Sequence, residues 1–72
     1  MSVFSVRLRE LRKKNSKKQT EIADYIGVVS RTLRHYEAGQ AIPDIERLIK
    51  IADFFDVSAD YLLGRSDNPR RQ

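Results

Sequence analysis

Residues 19–28 read Gln19-Thr20-Glu21-Ile22-Ala23-Asp24-Tyr25-Ile26-Gly27-Val28. Ile22, Ala23 and Ile26 fall on one face of a helix, and a glycine follows directly. Glycine there predicts a helix end in a left-handed turn. Two residues on, Ser30-Arg31-Thr32-Leu33-Arg34-His35-Tyr36-Glu37-Ala38 forms a second amphipathic run with Leu33 and Tyr36 inside, and Gly39 ends it. Two short helices joined by a tight turn form a helix-turn-helix unit, with small Ala23 allowing close approach and Leu33 filling the gap. Taken alone, the pattern equally describes a purely structural helical hairpin.

Helical spacing continues on both sides of this pair. Phe4, Leu8 and Leu11 predict a first helix over Val3–Lys14. Ser16-Lys17-Lys18-Gln19 fits an S-x-x-Q capping box, so Ser16 is expected to cap the second helix. After Gln40-Ala41-Ile42-Pro43, Asp44 is a good N-cap, and Ile45, Leu48, Ile51, Ala52 and Phe55 form the stripe of a fourth helix. Ser58 caps a short fifth helix, Ala59 to Leu63, that stops at Gly64. The expectation is an all-α fold of five helices: one domain over residues 1–64, then a flexible polar tail over 65–72.

Charge is unevenly spread. Of the formal +4, residues 1–20 carry seven Lys/Arg against one Glu, +6, while residues 41–64 carry two bases against five acids, −3. A basic front and an acidic back point to a surface turned toward a polyanion. With no cysteine and one histidine, His35, no disulfide or thiolate zinc site exists in these 72 residues, and no metal-ligand spacing stands out. No apolar run is long enough to span a membrane, and the N-terminus lacks a stretch like a secretion signal. A lone histidine on an exposed helix supports no nucleophile–base arrangement, and there is no glycine-rich phosphate loop. The expectation is a cytoplasmic protein that is not an enzyme and has no metal, cofactor or small-molecule ligand.

Residues 19–28 resemble the Q-x-E-[LI]-A-x-x-[LI]-G-V signature of the phage repressor and Cro-like (XRE-type) helix-turn-helix family. Arg31-Thr32-Leu33-Arg34-His35-Tyr36-Glu37-Ala38-Gly39 resembles its recognition helix, and Leu8-Arg9-Glu10-Leu11-Arg12 its first helix. Pro43, Leu48, Ala52, Phe55, Val57, Ser58 and Leu62-Leu63-Gly64 resemble its closing helices, so the likeness runs over residues 4–64 without insertion. The resemblance implies a lambda-repressor-like domain whose third helix enters the DNA major groove. It further implies a phosphate contact at Gln19 and an ion pair between Arg12 and Glu37 that holds Arg12 near the DNA backbone. The chain departs from the family pattern at Ser16-Lys17-Lys18, at Val29 where Ser or Thr is usual, and at Ala38 where Asn is usual. A missing N-cap costs about 0.5–2 kcal/mol. The alternative is that Ser30 caps the third helix and shortens it by one residue.

Setting Leu33 inward at 100° per residue turns Arg31, Arg34, His35 and Ala38 outward, with Ser30 at the edge. Ser30, Arg31, Arg34 and His35 are the expected base contacts, Arg31 suiting guanine O6 and N7; Arg34 sits where either a base or a phosphate is in reach. Gln19, Lys17, Lys18 and Arg12 are the expected phosphate contacts. The closing helices hold more apolar side chains than one face buries, making Ile49, Phe54 and Tyr61 candidates for a two-fold interface. The reading is a homodimeric regulator that binds an inverted-repeat operator in double-stranded DNA, most simply as a repressor. The alternatives are a protein-interaction module of the same fold, such as an antitoxin or adaptor, and an activator.

Overall fold

The computed structural model describes residues 2–71. It contains α1 (Val3–Lys14), α2 (Gln19–Ile26), α3 (Ser30–Ala38), α4 (Ile45–Phe55) and α5 (Ala59–Leu63), with no strand among the described residues. Three helix starts are capped by side chains: Ser2 accepts from the Ser5 N–H, Asp44 from Arg47 and Ser58 from Tyr61.

Leu8, Ile22, Ile26, Leu33, Ile51 and Leu62 are fully buried, one or two from each helix, and they lock all five helices around one centre. Phe4, Leu11, Ala23, Tyr36, Ala52 and Val57 close the core around them. Burying a side chain of Leu or Ile size contributes about 1.5–3 kcal/mol, so these residues fix where α3 sits. α3 packs on α1 and α2, and α4 packs on α2. The turn between α2 and α3 depends on Gly27, which has φ 79°. Its N–H and that of Val28 both donate to Ala23 O at 2.9 Å, taking up a carbonyl that the helix end leaves free.

Three expectations need correction. Ser16 does not cap α2: it lies in a left-handed conformation at φ 55°, and the helix begins at Gln19 with Lys18 as the cap residue. The Lys18 N–H donates to the Glu21 carboxylate at 2.9 Å, which is the returning half of a capping box. Lysine has no acceptor to offer the other half. Ser30 does not cap α3 either; Val29 is the cap residue, without a side-chain bond, and Ser30 is the first helical residue. Ile45 does not join the buried stripe of α4 but is 77% exposed, because α4 begins beyond the edge of the core. The polar tail makes several contacts with the body. Arg7 donates to Ser66 O at 2.7 Å and to Asp67 at 2.8 Å, and the Ser58 N–H donates to Pro69 O at 3.0 Å. Arg71 pairs with Asp53 at 2.6 Å.

Candidate nucleic-acid interface

α3 has two unlike sides. Leu33, Tyr36 and Glu37 are buried, while Arg31, Arg34, His35 and Ala38 are exposed and Ser30 is half-buried. The outward face therefore carries two guanidiniums and an imidazole, and its N-terminal turn holds Ser30 and Arg31. Arg31 and His35, four residues apart, stand on neighbouring turns of that face.

The buried side of α3 is tied down by one carboxylate. Glu37, 6% exposed, accepts from Arg12 Nε at 2.6 Å and Nη2 at 3.0 Å, and from Gln19 Nε2 at 3.2 Å. The same Arg12 reaches Lys17 O at 3.4 Å. One acid thus joins α1, the start of α2 and the end of α3. The fork geometry suits a planar guanidinium and fixes orientation as well as distance. Hydrogen bonding to Glu37 raises the Arg12 pKa, only partly offset by burial, so Arg12 stays charged.

Above this tie lies a notch of about 310 Å³, lined by Arg9, Arg12, Gln19, Arg34, Glu37 and Ala38. Three arginines face a single acid there. Its excess of positive charge suits an anionic group such as a phosphate. Ala38, having no polar atom, adds only shape. Arg34 lines the notch and also stands on the outward face that carries Arg31 and His35. Arg9 was not among the expected contacts. Its signal was present, since it precedes Arg12 by one helical turn.

The remaining expected residues separate. Lys18 is exposed beside Gln19. Lys17 turns toward α4, its ammonium 5.9 Å from the Phe54 ring centre. Of the interface candidates, Ile49 is exposed, but Phe54 is packed edge-on against Tyr25 and Phe55 at 5.2 and 5.0 Å. Tyr61 lies under the Arg7 guanidinium at 4.2 Å. Ile42 and Ile45 are more exposed than either, at 80% and 77%. Among the described residues no group of acids or histidine could hold a metal ion, and no helix is long and apolar enough to cross a membrane.

Comparison with known proteins adds to this geometry. The helix-turn-helix family model matches residues 8–62. The chain is 42% identical over 59 residues to the cryptic phage CTXphi transcriptional repressor RstR of Vibrio cholerae, covering 82% of this chain and 53% of that one. It is 36% identical over 67 residues to YobD of Bacillus subtilis, an uncharacterized HTH-type transcriptional regulator, covering 93% and 60%. It thus spans a little over half the length of these relatives. Among solved structures, the P22 c2 repressor in complex with a synthetic operator superposes with a TM-score of 0.84 at 26% identity, over 92% of this chain and all of that one. A transcriptional regulator from Listeria innocua gives 0.81 at 39% identity, over 85% of this chain and 57% of that one.

Proposed function

The chain belongs to the helix-turn-helix family, whose model spans residues 8–62, and from that premise we propose that it is a sequence-specific double-stranded DNA-binding transcriptional regulator, acting as a repressor in the cytoplasm. The observation that carries this reading is the pairing of a polar, basic outward face on α3 with the Arg12–Glu37–Gln19 tie behind it. A helix that reads base edges needs side chains that reach and a backbone that does not shift. Ser30, Arg31 and His35 reach base edges; Arg9, Arg12, Gln19 and Arg34 seat a phosphate, with Lys18 adding charge beside it. The likeness to a repressor seen on its operator supports the same docking. A protein-interaction helix would carry exposed apolar groups, and the outward face of α3 from Arg31 to His35 has none. Nothing in this reading calls for a reacting group, so the protein is not an enzyme.

The protein binds as a homodimer on an inverted repeat. Ile49, with Ile45 one turn before it on α4, supplies the exposed apolar surface for a two-fold contact, since Phe54 and Tyr61 are already engaged within the chain. Selection from a random duplex library at near-physiological salt tests the proposal. Enrichment of an inverted repeat, with half-site centres about 34–36 Å apart, is expected. Binding to every duplex alike, vanishing with modest salt, would leave only a basic surface and refute sequence-specific reading.

A further inference from the structure

We propose that Val29 is a specificity residue that reads a thymine by its methyl group. This rests on the DNA reading above and goes beyond it by naming the chemistry of one base contact. Three observations lead there. Val29 occupies the N-cap of α3, where a Ser, Thr, Asp or Asn side chain would bond a free N–H, and it makes no such bond. The Thr32 and Leu33 amides reach only its carbonyl, at 3.0 and 3.4 Å. It does not serve the core either: it is 68% exposed, while its neighbour Val28 packs against the core cluster that contains Leu33. The residue thus gives up a cap without gaining burial within its own chain. It also directly precedes Ser30 and Arg31, at the end of α3 that meets base edges.

An exposed branched apolar side chain at that end has one matching feature on the major-groove floor. Thymine alone among the four bases presents a C5-methyl there. Contact between that methyl and the Val29 methyls removes apolar surface of both from water. Arg31, two residues on, presents donors for a guanine, so the two side chains read different chemistry in adjoining base pairs. Serine at position 29 would supply the cap and lose the apolar contact.

The test uses the duplex enriched by library selection, with each thymine replaced in turn by deoxyuridine, which pairs identically and lacks only the methyl. For the unaltered protein, one replacement per half-site should weaken binding about fourfold, the worth of one buried methyl-sized group. For Val29→Ser, that replacement should change affinity by less than about 1.5-fold, while Arg31→Ala keeps the methyl effect. Val29→Ser should melt no lower than the unaltered protein, because it regains a cap, which separates lost contact from lost folding. Equal deoxyuridine sensitivity in Val29→Ser and the unaltered protein, or no sensitivity in either, would overturn the assignment and leave the DNA reading standing. Failure to enrich any sequence would overturn both.

Discussion

Replacing Glu37 with alanine should destabilise the whole domain although the residue sits at the end of one short helix. The carboxylate is buried and accepts three hydrogen bonds, two from Arg12 and one from Gln19. Removing one member of a buried ion pair costs about 3–5 kcal/mol where the orphaned charge stays dry. Here the Arg12 side chain is 18% exposed, so its guanidinium regains water and the expected loss falls to about 2–3 kcal/mol. A domain of this size is stable by about 4–11 kcal/mol, so the variant still folds. Its melting midpoint should drop by about 10–20 °C, at about 4–8 °C per kcal/mol. Circular dichroism at 222 nm during thermal and urea unfolding measures this. Arg12→Ala and the double variant complete a cycle, whose coupling should lie at about 1–3 kcal/mol. Strict additivity, or a Glu37→Ala loss below about 0.5 kcal/mol, would refute the claim that this carboxylate ties three helices together.

Further expectations concern the interface, the caps and the turns. Arg31→Ala should lose about 1–3 kcal/mol of DNA affinity and relax preference at one base pair, and unchanged preference in a repeated library selection would remove its base-reading role. Arg9→Ala should weaken binding to all duplexes alike and flatten the slope of log affinity against log salt by about one; a change in sequence preference instead would take it out of the phosphate notch. The Asp44 carboxyl is held below its ordinary pKa first by the Arg47 N–H and then by the Arg47 guanidinium. Its cap therefore contributes fully above the ordinary carboxylate value of about 4 and is lost as pH falls through the lower folded value. Acid melts of Asp44→Asn should show a shallower fall in that window. Gly64→Ala should cost about 1–3 kcal/mol in urea unfolding, because φ is 81° and the added Cβ would lie 2.8 Å from Val3 Cγ1. Gly27→Ala meets no atom within 4 Å and should cost less, through backbone strain alone.

Much of this organisation is legible in the sequence because local signals and packing agree. Five helices stand where apolar spacing and glycine stops place them, and Leu33, Tyr36 and Ile22 go inside as their period requires. Agreement fails where a decision depends on surroundings. Ser16 has the chemistry of a cap, but a left-handed backbone carries it past the helix start, and Glu21 does part of the work. Ile45 has the right period but begins its helix outside the core. Arg7 and Asp53 pair with tail residues far away in the chain. No periodicity encodes such pairings. At the site, the Arg12–Glu37 pair came through family likeness. The convergence of Arg9 and Arg34 on the same notch is a product of how α1 crosses α3, which spacing along either helix cannot supply.

Backbone amide shifts of the labelled protein, recorded while it is saturated with the duplex from library selection, test whether the outward face of α3 and the notch beside it form the DNA-binding surface. The largest changes are expected over residues 29–35, at Lys18 and Gln19, and at Arg9 and Arg12, with the α5 amides unmoved. Changes concentrated on the 65–71 segment and α5, with α3 silent, would contradict it.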